Sequence, residues 1–310
     1  MIIYQGNPSG WDAPENGAAV AIGVFDGMHL GHRRVLESLG DADPGLVRVA
    51  MTFSTHPASL LSPDGAPPRL STLRRRFDLF EEAGIDRVAV LGFDEEMRAM
   101  TPDGFVLRFL VEALNARFVV VGDGFRFGRG AAGTTETLAE LGQRHGFQIE
   151  VVDIASDDGT EIRSTAIREA LHDGDVARAA AMLGRPYDLE GIVVPGDGRG
   201  REIGIPTANL SSPAMLTIPH RGVYAVTAVI DGVSHAAVAN LGTRPTFGGE
   251  DEVLEVHILE LDQDLYGKHV SVEFIGRIRD ERRFGSIEDL LAQINTDIAS
   301  AAEMLAEHTS

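Results

Sequence analysis

In the first half of the chain, short apolar runs alternate with segments whose apolar residues recur every three or four positions. "AAVAIGVF" (18–25), "VRVAMTF" (47–53), "RVAVLGF" (87–93), "RFVVVG" (117–122) and "FQIEVVDI" (147–154) read as strands. The first strand runs through a turn into a helix that ends near Leu39. "STLRRRFDLFEEAG" starts on Ser/Thr, spaces Leu73, Phe77 and Phe80 along one face and stops at Gly84, which predicts a capped helix. "TPDGFVLRFLVEAL" opens Thr-Pro, a good helix start, and "TTETLAELGQRHG" is the next helix. Continuous apolar strands alternating with helices predict a parallel sheet covered on both faces. Two short helices follow, "STAIREALHDG" and "DVARAAAMLG".

The pattern changes at "GRPYDLEG" (184–191). "RGVYAVTAVIDGVSHAAVANLG" reads as two strands around Asp231-Gly232, a strong hairpin signal. "VLEVHILELD" and "KHVSVEFIGRIR" add two strands joined by the turn "QDLYG", and "SIEDLLAQINTDIASAAEML" is an amphipathic helix. The expectation is a small antiparallel β domain with a C-terminal helix. The boundary falls between Arg185 and Asp188, giving domains 1–186 and 187–310.

Composition narrows the function. The net charge of −20 argues against a nucleic-acid binder, whose affinity rests on Lys and Arg neutralising phosphates. Lys268 is the single lysine, so no Walker A loop exists. Cysteine is absent, which removes disulfides, thiolate nucleophiles and Cys-based metal sites. No window approaches the roughly 18 uninterrupted apolar residues of a membrane span, and the start lacks signal-peptide character. A cytoplasmic enzyme is expected, with neither nucleic acid nor membrane as partner.

Two stretches carry candidate chemistry. In "VAIGVFDGMHLGHRRVLESL", His29 and His32 sit beside a helix N-terminus, where free N–H groups and the helix dipole favour phosphate. Gly31 between them allows close approach of a ligand to the backbone. The imidazoles can stabilise a phosphate in a charged transition state, which suits nucleotidyl transfer. Equally, they can simply decorate a turn. The second stretch is "GDGRGREIGIPTANL". Gly196, Gly198, Gly200 and Gly204 allow backbone N–H groups to turn toward a phosphate, and Arg199 and Arg201 add charge. Thr207 and Asn209 lie two apart, on one face of an extended segment, and offer hard oxygen donors suited to Mg²⁺. Glu255 shares a strand face with His257 and Leu259; it is either a solvated outer-face residue or a base for an attacking alcohol.

"IGVFDGMHLGH" resembles the H-x-G-H signature of the bacterial bifunctional riboflavin kinase/FAD synthetases. "MTFSTHP", "RLSTLRRRFDLFEEAGIDRV", "VVVGDGFRFGRGAAGT" and "STAIREALHDGDVARAAAMLGRPY" follow in that family's order. So do "GRGREIGIPTANL", "GVYAV", "NLGTRPTF", "LEVHILELDQDLYGK" and "IRDERRFGSIEDLLAQI". The resemblance implies a Rossmann-like nucleotidyltransferase domain followed by a Greek-key β-barrel. It implies phosphorylation of riboflavin by MgATP, then transfer of AMP from ATP to FMN. His29 and His32 would steady the α-phosphate. The turn Gly23 to Gly27, including Phe25 and Asp26, would pack against ATP together with Gly31 and Gly124, and Ser164, Thr165 and Arg168 would hold its phosphates. Ser164 can equally cap the helix it opens. In the barrel, Thr207 and Asn209 would hold Mg²⁺, Glu255 would be the base, the Gly196 to Gly204 loop would cover ATP, and Arg279 and Phe284 would border the flavin.

Two positions depart from the family's pattern. Gly124 stands where Asp or Asn is usual, and Arg163, which either adds a phosphate contact or crowds the pocket, replaces the first Ser of a Ser-Ser-Thr run; Thr55 for Pro is minor. An alternative is therefore a riboflavin kinase whose adenylyltransferase domain is weak or inactive. A flavin carrier without turnover is a rival, although binding alone requires neither Glu255 nor the Thr207–Asn209 pair. A nucleotidyltransferase acting on another phosphate ester fits poorly with an attached kinase.

Overall fold

The apolar runs of the first half form a parallel sheet in the computed structural model, which describes residues 1–55, 59, 65–154, 156–157, 160–196, 198–211, 215–246 and 249–309. His56 and Pro57 of "MTFSTHP", Asp197 of the glycine-rich loop and Phe247 of "NLGTRPTF" lie outside the described residues. The strands are β1 (Ile2–Tyr4), β2 (Ala18–Ile22), β3 (Val47–Phe53), β4 (Arg87–Leu91), β5 (Ala116–Gly122) and β6 (Gln148–Val152). Their order is β1-β4-β3-β2-β5-β6, every pair parallel. From β2 the chain winds outward through β3 and β4, then returns to the other side of β2 for β5 and β6. In such a sheet, ligands bind beyond the carboxyl ends of the strands where the winding reverses. Here that place is the loops after β2 and β5, and the histidine pair follows β2.

Helices cover the sheet: α1 (Leu30–Glu37), α2 (Leu73–Glu82), α3 (Pro102–Phe105) and α4 (Thr135–His145). Thr72, Thr101 and Thr134 cap α2, α3 and α4 by accepting from the backbone N–H three residues on. The helix expected over 101–114 continues from α3 as a π-helix over Val106–Ala113, burying Val106, Phe109, Leu110 and Ala113. β1 escapes the sequence pattern because it is a short edge strand, with Ile2 and Ile3 exposed. β7 (Ser156–Asp157) and β8 (Thr160–Glu161) form a small hairpin.

The chain divides into two compact units, residues 1–68 with 72–163 and residues 69–71 with 164–310. In this division α5 (Ser164–His172) and α6 (Val176–Leu183) group with the second unit, where α6 packs on the barrel strands β9 and β14. The barrel strands are β9 (Tyr187–Val194), β10 (Ala208–Ser211), β11 (Gly222–Ile230), β12 (Val233–Thr246), β13 (Gly249–Ile258) and β14 (His269–Arg279). They close in the order β10-β13-β12-β11-β14-β9, all antiparallel, with Greek-key crossovers. Asp231 (φ 50°) and Gly232 (φ 79°) both adopt left-handed backbone, which the tight hairpin between β11 and β12 demands. The sequence pattern gave no strand at β9 or β10. β9 runs apolar and acidic together, and β10 is four residues long. Tyr187, Tyr224 and Phe274 fill the barrel, with the Tyr224 and Phe274 rings edge to face at 5.3 Å. The terminal helix α7 (Ile287–Thr309) packs on β11, β12 and β14.

Phe274 is fully buried against Tyr224 and Tyr187. Phe274→Ala is expected to cost about 3–5 kcal/mol, read as a lower denaturant midpoint for the barrel unit.

Candidate active sites

The turn after β2 is tightly wound. Phe25 (φ 53°), Gly27 (φ 78°) and Met28 (φ 45°) all adopt left-handed backbone, a cost that persists only where surrounding contacts fix it. Phe25 is completely buried, its ring edge-on to Phe80 of α2 and to His32 of α1, each at 5.3 Å. The Phe25 side chain thus anchors the turn from inside, so any contribution to a ligand comes through the backbone around it. Asp26 is buried as well. His29 caps α1: its Nδ1 accepts from His32 N–H at 3.3 Å. The two imidazoles stack, 3.6 Å between centroids and 18° between planes. His32 is held well below the ordinary histidine pKa, first by burial, then by the neighbouring His29 and Arg76 charges. Its Nδ1 is buried and makes no hydrogen bond among the described residues. A buried polar atom of this kind calls for a partner.

A Cβ on Gly31 would meet the Ile154 side chain at 3.0 Å and the His29 ring at 3.2 Å. The missing side chain makes room for His29 rather than for a ligand. Gly23 likewise lies against the Phe25 ring. Gly124 follows β5, and a Cβ on it would meet nothing within 4 Å. Asp123 accepts from its N–H at 2.8 Å. Arg163 is exposed and immediately precedes α5, whose first residue is Ser164, so the position before the first turn falls on Arg163 rather than on Ser164. Thr165 and Arg168 follow on that helix of the second unit. A separate cavity of about 660 Å³ opens past the ends of β1, β3 and β4, lined by Gln5, Ser54, Gly92, Met97, Met100 and Phe109 among others.

In the barrel, strand register makes the site. Glu255 on β13 is directly opposite Asn209 on β10 and Asn240 on β12. Facing residues share a sheet face, so an amide, a carboxylate and a second amide form one row. All three line a cavity of about 590 Å³ together with Thr207, Gly198 and Gly200. Glu255 is half-buried and lines the cavity on the face opposite the buried Leu254 and Val256. His257 lines the same cavity, and its Nδ1 lies 2.7 Å from the Pro206 carbonyl, tying the "PTAN" segment to β13.

The glycines of the preceding loop divide the work. Gly198 (φ 73°) and Gly204 (φ 81°) supply left-handed backbone on either side of a short helix, Arg199–Glu202, which carries Arg201 at the surface. Gly196 and Gly200 instead permit close approach. A Cβ on Gly196 would overlap the Asn209 amide, and one on Gly200 would overlap the Ile205 carbonyl and reach within 3.3 Å of Thr207 Oγ1.

Arg279 and Phe284 line the far end of this cavity with Leu290, Ile294 and Ile298 of α7. The Arg279 guanidinium grips Asp297 of α7, Nε at 3.0 Å from Oδ1 and Nη2 at 2.8 Å from Oδ2, and stacks near the Phe284 ring. Asp297 is buried and also accepts from Gln293 Nε2 at 2.7 Å. Asn240, His257, Glu281, Asp297 and Arg76 were not marked by sequence reasoning. Asn240 was visible in "NLGTRPTF", but only strand register sets it beside Glu255.

The family model for FAD synthetase matches residues 12–166, and that for riboflavin kinase matches residues 183–305. The bifunctional riboflavin kinase/FMN adenylyltransferase of Escherichia coli (strain K12) is 41% identical over 306 residues, covering 98% of this chain and 97% of its own. The protein of that name from Bacillus subtilis (strain 168) is 36% identical over 287 residues, 90% of each chain. A crystal structure titled a macrolide-efflux protein from Streptococcus pneumoniae superimposes with a TM-score of 0.88 at 31% identity, covering 97% of this chain and 99% of that one. No helix among the described residues is long and apolar enough to cross a membrane. With both family models matched in order along one chain, the protein belongs to the bifunctional riboflavin kinase/FMN adenylyltransferase family.

Proposed function

We propose that this chain makes FAD from riboflavin in two steps, each in its own unit. The barrel transfers a phosphoryl group from ATP to riboflavin, giving FMN and ADP; the parallel-sheet unit transfers AMP from a second ATP to FMN, giving FAD and pyrophosphate. Residues 1–186 are assigned to AMP transfer and residues 187–310 to riboflavin phosphorylation. The observation that carries the reading is the Asn209–Glu255–Asn240 row in the barrel cavity. A carboxylate is placed there among neutral amides, beside a glycine loop.

In the first step Glu255 takes the proton of the riboflavin 5′-hydroxyl while its oxygen bonds to the γ-phosphorus and the bond to the ADP oxygen breaks. Thr207 and Asn209 offer the oxygen donors that Mg²⁺ accepts, and Gly196 and Gly200 leave both side chains room. An ion held by these two side chains would neutralise charge on the transferring phosphate. Backbone N–H groups of the Gly196 to Gly204 loop, with Arg199 and Arg201, cover the remaining phosphate oxygens. Arg279, locked by Asp297, and Phe284 border the flavin ring.

The second step needs no base, because the attacking FMN phosphate is already largely ionised at neutral pH. Its oxygen bonds to the α-phosphorus and pyrophosphate leaves. His29 and the unpartnered ring nitrogen of His32 are suited to hold the charge that develops there. The backbone of the Gly23 to Gly27 turn and Gly124 would lie against the nucleotide. The partly apolar cavity past β1, β3 and β4 has the volume for the acceptor's ring system.

Chromatography of riboflavin or FMN incubated with the protein, ATP and Mg²⁺ should show FAD from either flavin. If FMN accumulates from riboflavin and FMN itself is left unchanged, the chain is a kinase alone, and Gly124 and Arg163 become the cause to test. Glu255→Gln should lower FMN formation from riboflavin by roughly 10²–10⁴-fold and leave FAD formation from FMN intact. Gly196→Ala should push the Asn209 amide out of line and raise the Mg²⁺ concentration needed for half-maximal kinase rate, again sparing the second reaction. His32 should remain neutral well below pH 6.5 in an NMR titration of its ring protons. Its folded pKa is lowered, so its contribution to stability is complete above the unfolded value and declines as pH falls toward the folded one.

A further inference from the structure

α2 carries a buried cation underneath the histidine turn. The Arg76 side chain is almost fully buried, yet it lies one helical turn from Phe80, the residue on which Phe25 rests. Its Nη1 donates to Val24 O at 2.9 Å, to Thr52 Oγ1 at 3.0 Å and to Phe53 O at 3.2 Å. Thr52 Oγ1 in turn donates to Val24 O at 2.9 Å. Val24 is the residue before the left-handed turn begins, and Phe53 ends β3. One guanidinium therefore fastens the start of the turn to the end of the neighbouring strand. Positions i and i+4 of a helix share a face, so α2 presses on the turn twice, through Arg76 on its backbone and through Phe80 on its buried ring.

We propose that Arg76 is a positioning residue for adenylyl transfer: it clamps the β2–α1 turn onto β3 and sets a permanent positive charge behind the His29–His32 pair. It touches neither nucleotide nor flavin and acts through the turn that carries the histidines. This rests on the assignment of AMP transfer to that turn. The clamp explains how a segment with two non-glycine residues at positive φ holds a single shape. The fixed charge favours the neutral form of His32, on which burial, the stacked His29 and Arg76 from α2 all act in that direction. A neutral ring keeps a lone pair on one nitrogen and a proton on the other, and so can both accept and donate.

The test uses the full chain carrying Arg76→Met or Arg76→Lys, with riboflavin phosphorylation by the barrel of the same molecule as the internal control. Arg76→Met should lower kcat for FAD formation from FMN by roughly 10- to 100-fold, leave FMN formation from riboflavin unchanged, and move the His32 NMR titration upward. Arg76→Lys keeps the charge but cannot reach three oxygens with one compact ammonium. It should restore the His32 titration and recover part of kcat. Unchanged FAD formation in Arg76→Met overturns the proposal. So does a loss of activity in which His32 titrates as in the parent chain, since that is ordinary destabilisation. Should Arg76→Met fail to fold, Arg76→Lys decides alone: a kcat for FAD formation reduced at an unchanged thermal midpoint supports the clamp, and an undiminished kcat, or a reduced one with a lowered midpoint, overturns it. Failure of the parent chain to convert FMN would instead remove the assignment of AMP transfer, separately from Arg76.

Discussion

Closing six antiparallel strands into a barrel satisfies every strand edge and, in doing so, dictates which residues face each other across it. The row of polar groups in the barrel cavity depends on that constraint. Glu255, Asn209 and Asn240 come from three strands, and each pair is fixed by strand register rather than by a flexible loop. A slip of one residue on β13 would turn the carboxylate to the opposite face. The glycines before β10 complete the arrangement by omission, since the Asn209 amide and the Ile205 carbonyl occupy the space their side chains would fill.

The parallel sheet meets the same need differently. Its strands end along one edge, and the reversal of winding at β2 leaves the adjoining loops with room for a ligand. What must be held there is a turn with left-handed residues, and the holding is done from below by α2. A buried guanidinium among carbonyl oxygens and a pair of packed aromatic rings are stiff supports. Each unit thus braces its polar groups with packed residues. The Arg279–Asp297 pair has the comparable position at the other end of the barrel cavity, where it joins α7 to β14.

Phosphate has to be handled in a chain with one lysine and a net charge of −20. Backbone N–H groups, imidazoles and arginine forks are what remain. Backbone and imidazole donors depend on orientation more than on charge, which is consistent with how much of each site is devoted to fixing loop geometry.

Much of this was legible along the chain. The alternation of apolar strands with helices marked the parallel sheet, Asp231-Gly232 marked a hairpin, and threonines marked the starts of α2, α3 and α4, because each is a local signal written within a few residues. The histidine pair, the glycine loop, Thr207, Asn209 and Glu255 were visible for the same reason. β1, β9 and β10 were not, being short or mixed in polarity and formed only because neighbours complete their hydrogen bonds. Nor could spacing reveal that Gly31 makes room for His29, that Phe25 is an internal support, that Asn240 stands opposite Glu255, or that Arg76 is bonded to the start of the histidine turn. The sequence by itself determined the element types and the reactive groups. Only the tertiary structure decided which of them meet, because strand register and buried packing are set by partners distant in the chain.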